Sequence, residues 1–360
     1  MATIYVLNNY SFQRVLQEIA DGKKPRHHLY AVDVLSERYE VVIVPFDESK
    51  RQFWSRVTHW WRKTKIPIPL GDLYQQLYVL RHIKKGDIIY APCQTQTQLL
   101  SYLRRLKLIS HKIIVLAHHP PLRGRFLTLR RWLFRQELKG SDYYPALAKE
   151  VAHQINTIVP QKSQAIHWGP DLSFYQSFPP TTDSSTTFLA AGRTGRDFLT
   201  FTKACIAVDA QAHIICLQQT YERQLRSLSL STHIQITANN QENSLLYDEL
   251  VPMMAAAEVI CIPLFHSEGH LAGLTSLTDA LALGKAVIMT RNRFIDIDIE
   301  KEGIGIWVDV GDVEGWVKAM RRLQDNSALR EEMGARALRL AKEKWNTKQF
   351  SREVDQLIRA

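Results

Sequence analysis

The sequence lacks any apolar run close to the roughly 20 residues that a helix needs to cross a bilayer. It is also poor in cysteine: Cys93, Cys205, Cys216 and Cys261 are scattered, and no Cys-x-x-Cys pair occurs. This spacing disfavours a disulfide framework and is typical of a reduced, cytoplasmic protein. The amino terminus, Met1–Leu7, is too short and uncharged for a signal peptide and is predicted to be a first strand.

Acidic residues are scarce in the first half of the chain. Residues 1–170 contain 26 Lys and Arg against 12 Asp and Glu, a net charge of +14. Residues 171–360 contain 20 against 24, a net charge of −4. The overall charge of +10 on 360 residues therefore belongs to one half of the chain, and a chain of this length indicates two domains.

Short apolar runs bounded by polar turns alternate with helical patterns, which predicts parallel sheets covered by helices. The runs are Ile4–Leu7, Val41–Pro45, Ile88–Ala91, Ile113–Ala117, Phe188–Ala191, Ile214–Leu217, Val259–Pro263 and Ala286–Thr290. The polar, proline-containing segment Phe178–Thr187 is the predicted linker. We therefore predict an N-terminal domain over residues 1–180, a C-terminal domain over 181–345 and a final helix over 346–360.

The most informative segment begins with a Gly-Leu-Thr-Ser turn at Gly273–Ser276, which is predicted to open a helix that Gly284 ends. The apolar run Ala286–Thr290 then continues as a buried strand. The first turn of such a helix has free N–H groups and a positive dipole end, which bind phosphate, and Asp279 lies close enough to reach a sugar hydroxyl. An ordinary helix and strand with no ligand explains the same local pattern.

The order of motifs after this turn resembles the C-terminal half of GT-B glycosyltransferases, which use nucleotide-sugar donors. The matching residues are Asp279, the runs Ala280–Gly284 and Lys285–Ile288, and the turn Gly311-Asp312, within a likeness over about residues 185–350. The resemblance implies an α/β GT-B fold, in which two Rossmann-like domains present parallel sheets across a cleft and a C-terminal helix crosses back toward the N-terminal domain. It also implies a hexosyltransferase of the retaining type that needs no cofactor and no bound metal.

The resemblance places donor-binding residues in the C-terminal domain. An arginine after the first strand of this domain grips the donor diphosphate in the family, because guanidinium N–H groups pair with phosphate oxygens. Arg193 is the first candidate and Arg196 the second, and a surface arginine in a tight turn is the alternative for Arg193. Gly273, Leu274, Thr275 and Ser276 are expected to bind the diphosphate, Asp279 the ribose, and the nucleotide base is expected near Thr237–Asn243.

The candidate catalytic residues also follow predicted strands. Many retaining members of the family have two acidic residues eight positions apart. Asp279 fits the second, but Leu271 stands at the position of the first, and Glu268, eleven residues before Asp279, is the candidate to replace it. His118 or His119 stands where similar enzymes place a histidine near the donor sugar, and a neutral imidazole there can position a substrate or, if the enzyme inverts, accept a proton. The loop residues His266 and His270 are further polar candidates, although each fits an ordinary loop side chain better than a catalyst.

On the acceptor side, the candidates are Asn9, Tyr10 and His28. Two basic segments, Lys50–Lys65 and Arg123–Lys139, alternate Trp, Phe and Leu with Arg and Lys at near-helical spacing. Such helices lie on anionic membrane surfaces, whereas an amphipathic helix packed on its own sheet with a solvated basic face is the alternative. We expect no nucleic-acid partner, since no recognised binding motif is present.

Taken with the resemblance, these residues predict an enzyme that moves a sugar from a nucleotide-sugar donor to a glycan or lipid-linked acceptor. The expected setting is cell-surface polysaccharide or glycolipid assembly in the bacterial cytoplasm, at the inner face of the membrane. Two alternatives stay open. One is a nucleotide-sugar epimerase of the same fold, and the other is a scaffold protein that kept the fold and lost activity.

Overall fold

The computed structural model of the protein describes residues 2–63, 68–122, 126–179, 186–217, 224–225, 227–239, 245–265 and 270–360. The chain divides into two compact units. Unit 1 comprises Met1–Gln17, His28–Trp168 and Lys348–Ala360, and unit 2 comprises Glu18–His27 and Gly169–Thr347. Most of the predicted linker, residues 180–185, lies outside the described residues.

The described part of unit 1 contains a parallel sheet of four strands: β1 (Thr3–Val6), β2 (Glu40–Ile43), β3 (Ile88–Ala91) and β4 (Lys112–Val115). Their order is β2-β1-β3-β4, so Ile4 of the central strand β1 lies between Val41 and Ile88. Strand β3 is buried along its whole length, as is typical of parallel strands. The chain leaves β1 in one direction and returns on its other side at β3, so the strand order reverses between these two strands.

The helices between these strands and after them are α1 (Phe12–Ala20), α2 (Val32–Ser36), α3 (Glu48–Lys63), α4 (Leu73–His82), α5 (Gln98–Arg105), α6 (Leu127–Gly140) and α7 (Lys149–Asn156). Helix α4 begins at Leu73 because the Asp72 carboxylate accepts a hydrogen bond from the Gln75 N–H at 3.2 Å. Of the predicted basic segments, residues 64–67 and 123–125 and most side chains of the second half of α3 lie outside the described residues.

Unit 2 contains a six-stranded parallel sheet within the described residues, made of β5 (Phe188–Ala191), β6 (Ala212–Leu217), β7 (Ile234–Asn239), β8 (Val259–Ile262), β9 (Ala286–Thr290) and β10 (Gly305–Val308). The order is β10-β9-β8-β5-β6-β7. This is the doubly wound order of dinucleotide-binding sheets, and its strand order reverses between β5 and β8. The predicted α/β class with two parallel sheets is confirmed.

The remaining helices are α8 (Leu172–Tyr175), α9 (Phe198–Val208), α10 (Tyr247–Ala256), α11 (Leu274–Ala282), α12 (Val313–Gln324), α13 (Ser327–Glu343) and α14 (Thr347–Arg359). Side-chain caps fix where several of them begin: Asp197 accepts from the Thr200 N–H at 3.0 Å, and Asp312 accepts from the Gly315 N–H at 2.8 Å. Helices α9 and α12 cover one face of the sheet, where Phe201 meets Trp316 edge to face.

Helix α14 belongs to unit 1 from Lys348 onward. Its apolar residues recur at helical spacing, and Phe350 and Val354 are both buried. Its Asp355 carboxylate accepts hydrogen bonds from Arg38 at 2.6 Å and from the Tyr39 hydroxyl at 3.0 Å. The end of the chain is therefore attached to the segment that precedes β2.

Candidate functional site

Two loops meet at the reversal of strand order in unit 2. One follows β5 and contains Gly195 and Arg196, and the other follows β8 and begins at Pro263. The loops are joined by hydrogen bonds from the Phe265 N–H to the Gly195 carbonyl at 3.0 Å and from the Asp197 N–H to the Pro263 carbonyl at 3.1 Å. In open parallel sheets, ligands bind outside the carboxyl ends of the strands at such a reversal. This edge of the sheet is therefore the candidate site.

The buried side chain of Arg196 joins the loop after β5 to the first turn of α11, which follows the second loop. The side chain is buried and donates from Nε to the Ala191 carbonyl and from Nη1 to the Thr194 carbonyl, both at 3.1 Å. Its Nη2 donates to the Ser276 Oγ on the first turn of α11 at 2.8 Å. Gly192 allows this arrangement, because a Cβ at that position would lie 2.4 Å from the Arg196 Nε. The guanidinium thus places a positive charge beneath the site and fixes Ser276.

Gly273 determines where α11 begins. Its φ of +89° is a conformation that other residues rarely adopt, and a Cβ there would lie 2.5 Å from the Met289 Cε and 2.9 Å from the Ile262 Cγ2. The glycine therefore lets the amino end of α11 start directly against β8 and β9. The first-turn residue Thr275 is exposed and Ser276 is half-buried, so both can face a ligand at the positive end of the helix dipole.

Thr290, the last residue of β9, and Asn292, just after it, hold the segment that follows β8, and sequence reasoning missed both. The buried Thr290 hydroxyl accepts a hydrogen bond from the Leu264 N–H at 3.0 Å. The buried Asn292 amide donates to the carbonyls of His270 and Ala272 at 3.2 and 3.1 Å. The signal was present, since both lie at the carboxyl end of a predicted strand, where polar side chains are expected to serve the site.

The other predicted donor-side residues have different surroundings. Arg193 is exposed on the loop after β5. His270 lies beside Gly195, with its Cε1 3.4 Å from the position of a Cβ on that glycine. Glu268 and His266 lie outside the described residues. The structure therefore brings Arg196, His270 and the Gly273–Ser276 turn together.

Asp279 is buried one turn further along α11, with 3% of the residue exposed. Its carboxylate accepts a short hydrogen bond from the Tyr175 hydroxyl, which belongs to α8. Loss of hydration on burial raises the pKa of Asp279 to about 7, and the Tyr175 hydrogen bond opposes that rise. Its predicted role at the donor ribose stays a prediction, and the structure adds Tyr175 as its partner.

The surroundings of Tyr175 are also buried. The His27 ring stacks parallel to the Tyr175 ring, with 6.4 Å between centroids, and burial lowers the pKa of His27 to about 3. The Asp171 N–H donates to the His27 Nδ1 at 3.3 Å, and the Asp171 carboxylate accepts from the Arg26 N–H at 3.0 Å. Residues 18–27 are thereby attached to the start of unit 2, although they precede β2 in the sequence.

In unit 1, His118 follows β4 and is half-buried. Its Nε2 lies 2.5 Å from the Pro92 carbonyl, which only accepts, so Nε2 carries the proton and Nδ1 keeps its lone pair. Loss of hydration lowers the pKa of His118 to about 4, so the ring is neutral near pH 7. His119 is exposed, and Gln94 accepts hydrogen bonds from both backbone N–H groups, at 2.7 and 2.8 Å.

The predicted acceptor-side residues lie at the carboxyl end of β1 in the same unit. Asn9 is exposed, and its N–H donates to the Asn8 Oδ1 at 2.9 Å. The Tyr10 hydroxyl donates to the His28 carbonyl at 2.6 Å, which joins two of the predicted residues through the backbone of His28. Asn8, which precedes them and also follows β1, is buried at the point where the strand order of unit 1 reverses.

The chemistry available in unit 2 is that of an anion site. Helix α11 presents N–H groups and the positive end of its dipole, and the Arg196 guanidinium lies beneath the same turn. In the described part of the chain, no group of three His, Cys, Asp or Glu side chains is arranged to hold a metal ion. No helix of these residues is both long enough and apolar enough to span a bilayer.

Comparison with known proteins identifies a matching family model and a shared fold. Residues 200–339 match the family model described as glycosyl transferases group 1. HepE of Anabaena, crystallised with UDP-glucose, is similar with a TM-score of 0.67 and 14% identity, over 99% of this chain and 99% of HepE. Sucrose-phosphate synthase of Thermosynechococcus elongatus has a TM-score of 0.65 and 11% identity, over 100% of this chain and 98% of its own. No curated protein sequence matches the chain.

A third solved structure is WaaG, a glycosyltransferase involved in lipopolysaccharide biosynthesis, with a TM-score of 0.60 and 13% identity over 99% of both chains. Identities this low show the fold alone, whereas the family model matches the sequence from α9 into α13. The predicted resemblance is confirmed. The chain has the fold of the GT-B glycosyltransferases, and its residues 200–339 match the family model of the group 1 glycosyl transferases.

Proposed function

We propose that the protein transfers a hexose from a nucleotide-sugar donor to a glycan or lipid-linked acceptor. The observation that carries this proposal is the contact between Arg196 and Ser276 at the strand-order reversal of unit 2. It places a guanidinium under the amino end of a helix, and both favour a diphosphate. The match of residues 200–339 to group 1 glycosyl transferases supports the same reaction.

In this reaction the bond between the anomeric carbon of the donor sugar and the diphosphate oxygen breaks. An acceptor hydroxyl oxygen bonds to that carbon, and the nucleoside diphosphate leaves with added negative charge. The N–H groups of Thr275 and Ser276, together with Arg193, are the groups that we propose stabilise this charge. Asp279 is proposed to bind the ribose, and no cofactor or metal is needed in this scheme.

The acceptor hydroxyl must lose a proton: with retention, an oxygen of the leaving diphosphate on the same face of the sugar takes it, and if the enzyme inverts, His118 is the proposed recipient. Its ring is neutral near pH 7 and Nδ1 keeps a lone pair, which is what a base requires. His119 and Glu268 are the other proposed catalytic residues, and Asn9, Tyr10 and His28 are proposed to line the acceptor side. We propose transfer with retention, which the anomeric coupling constant in the NMR spectrum of the product tests.

The reaction is tested with UDP-glucose, because HepE was crystallised with that compound. Octyl β-glucoside serves as the probe acceptor. We expect UDP to be released faster when the glucoside is present. Conversion of the donor hexose without UDP release indicates the epimerase instead. Tight binding of UDP-glucose with neither reaction indicates a scaffold protein that has lost activity.

We further propose that unit 1 binds an anionic membrane through helix α6. The first two turns of this helix and the residue before it expose apolar side chains to solvent: Phe126 is 73% exposed, Leu127 53%, Leu129 41% and Trp132 57%. Arg130, Arg131 and Arg135 are exposed on the same helix. An aromatic and aliphatic surface flanked by arginines suits the boundary between headgroups and acyl chains. The protein would then act at the inner face of the cell membrane, in glycolipid or surface polysaccharide assembly.

Liposome sedimentation tests this surface. Replacing Arg130, Arg131 and Arg135 by Ala removes about 1 kcal/mol each near an anionic surface, so we expect about 100-fold weaker binding to phosphatidylglycerol vesicles. The matched control replaces three exposed arginines of unit 2, Arg321, Arg322 and Arg339, and should bind as the unaltered protein does. Equal binding of both variants would rule out α6 as the membrane surface, and a selective loss of duplex DNA binding would assign it to nucleic acid.

A further inference from the structure

We propose that unit 1 contains a binding cavity for an uncharged sugar ring, formed by residues other than the predicted site residues. The cavity measures about 720 Å³ and lies between the first turns of α3, the segment before α4 and the loop before α5. The assignment of this cavity to an acceptor sugar rests on the proposed transferase function. Binding of a sugar in the cavity can nevertheless be tested independently of that function, through variants of the lining residues.

The cavity is built on the strand-order reversal of the unit 1 sheet. Asp72, in its wall, accepts hydrogen bonds from the Arg51 Nε at 2.5 Å and from the Gln75 Nε2 at 3.0 Å. Gln75 in turn accepts from the Asn8 N–H at 2.9 Å and donates to the Asn8 carbonyl at 2.5 Å. The cavity wall is thus bonded to the carboxyl end of β1, where ligands of parallel sheets bind.

Two polar atoms of the lining have hydrogen-bonding capacity left over. Gln96 and Gln98 are 5% and 6% exposed, and neither side-chain Oε1 has a hydrogen-bond partner among the described residues. A buried acceptor without a partner costs roughly 1–3 kcal/mol, which a donor from a ligand would recover. Hydroxyl groups are such donors, and a sugar ring carries several of them.

The backbone of the lining is held in an unusual conformation. Thr95 has a φ of +76°, which is uncommon for a residue other than glycine. Gly71 has a φ of +72°, and a Cβ there would lie 2.7 Å from both the Thr95 carbonyl and the Gln98 Oε1. Strained residues of this kind concentrate at binding sites, because surrounding structure must hold them in place.

The charge of the lining favours an uncharged ligand over an anion. Although the first 170 residues have a net charge of +14, the charged residues of the lining are Glu48, Asp72 and Arg51, a net charge of −1. Arg51 is already paired with Asp72, so its charge is offset. A phosphate or carboxylate would be repelled here, whereas an uncharged polyol would not. Trp54 adds a flat apolar surface suited to the C–H face of a sugar ring.

Saturation-transfer NMR on the full chain tests this inference. The probes are the methyl glycosides of glucose, galactose, mannose and N-acetylglucosamine, each compared with the matching hexose 6-phosphate. We expect at least one methyl glycoside to bind, with the phosphorylated compound about 10-fold weaker or worse, a difference of about 1.4 kcal/mol. Absence of binding by every methyl glycoside, or preference for the phosphate, would overturn the proposal.

Three variants localise the binding. Trp54→Ala removes the apolar wall, and Asp72→Asn replaces a carboxylate acceptor for sugar hydroxyls by a weaker amide acceptor; each should weaken glycoside binding about 10-fold, or 1.4 kcal/mol. Phe53→Ala is the matched control, since Phe53 is the neighbouring residue on α3, is 59% exposed and does not line the cavity. Equal weakening by Phe53→Ala, or none by Trp54→Ala in a chain that melts normally, would contradict the assignment.

Titration with UDP separates this inference from the proposed function. UDP should bind the Trp54→Ala variant as tightly as the unaltered chain, because the donor residues belong to unit 2. Failure of UDP to bind the unaltered chain would count against the transferase. Glycoside binding that depends on Trp54 would still establish the cavity in that case.

Discussion

Both units are parallel sheets covered by helices, but they differ in how the polar side chains at the carboxyl ends of their strands are hydrogen-bonded. In unit 2, Arg196, Thr290 and Asn292 are occupied with holding the loops around α11. In unit 1, the described residues Gln96 and Gln98 keep a buried acceptor without a partner. Because these side chains already hold the described loops of unit 2, this edge is formed before a ligand binds, and the ligand that we propose is a diphosphate. An edge with unmet acceptors requires a ligand that brings hydrogen-bond donors.

Each unit also buries one carboxyl group against a tyrosine. The Tyr144 hydroxyl donates to Glu137 at 3.0 Å in unit 1, and the Tyr175 hydroxyl donates to Asp279 in unit 2. Burial raises the pKa of both carboxyl groups to about 7. The helices that carry them differ, since α11 begins at the candidate site whereas α6 exposes arginines and aromatic rings. The same kind of buried pair therefore lies on the helix of the candidate site in one unit and on a surface helix in the other.

The largest effect is expected at the start of α11. Gly273→Ala places a Cβ 2.5 Å from the Met289 Cε at a φ of +89°, so we expect about 2–4 kcal/mol of destabilisation and loss of UDP binding. Gly311→Ala is the control, because its φ is +70° but nothing lies within 4 Å of the new Cβ, and it should cost about 1 kcal/mol. Chemical denaturation measures both. Equal losses would show that the packing around Gly273 is not special.

A smaller effect, on how stability changes with pH, is expected from the two buried carboxyl groups of Glu137 and Asp279. Their pKa values in the folded state, about 7, lie above the ordinary values near 4, so the folded chain keeps protons that the unfolded chain releases. The free energy of unfolding should therefore fall as the pH rises from about 4 to 7, by on the order of a few kcal/mol per group.

Glu137→Gln and Asp279→Asn each remove one of these contributions while preserving an acceptor for the tyrosine. Thermal unfolding at pH 5 and pH 8 is the measurement, and each variant should lose less stability between the two values than the unaltered chain does. Identical pH dependence in variant and unaltered chains would mean that the carboxyl groups are ionised in the folded protein. If only one variant altered the pH dependence of stability, the two buried carboxyl groups would differ in their protonation, and the two units would not share this feature.

The smallest effect is expected on the surface of unit 1. Arg130, Arg131 and Arg135 are exposed, so replacing all three by Ala should change the free energy of unfolding by only about 0.5 kcal/mol each or less. Their role would then be confined to binding. A large drop in melting temperature would instead show that α6 depends on them for its packing, which would weaken the membrane proposal.

Sequence reasoning succeeded where the signal was local. The strands β5, β8 and β9 were predicted because short apolar runs between polar turns are typical of buried parallel strands, and the turn at Gly273 was predicted from its glycine and the helix after it. The carboxylates of Asp197 and Asp312 each cap a helix by accepting a hydrogen bond from the N–H group three residues later. This signal is also local in the sequence.

The contacts that build the site were not predictable in this way. Arg196 and Ser276 are 80 residues apart, and Tyr175 and Asp279 are 104 residues apart, so no local spacing joins either pair. The sequence also gives no sign that Arg196 is buried while Arg193, three residues earlier, is exposed. Arg196 is buried because its guanidinium bonds to the backbone of its own loop and to Ser276. The bond to Ser276 forms only in the folded sheet, where β5 and β8 are neighbours.

The central claim, a diphosphate site in unit 2, is tested most directly by calorimetric titration of UDP into the full chain. Arg193→Ala should weaken UDP binding by about 10-fold or more, because a charge-assisted hydrogen bond contributes roughly 1.5–3 kcal/mol. Arg321→Ala, an exposed arginine on α12, should leave the affinity unchanged. Equal UDP affinity in both variants, or no binding by the unaltered chain, would contradict the claim.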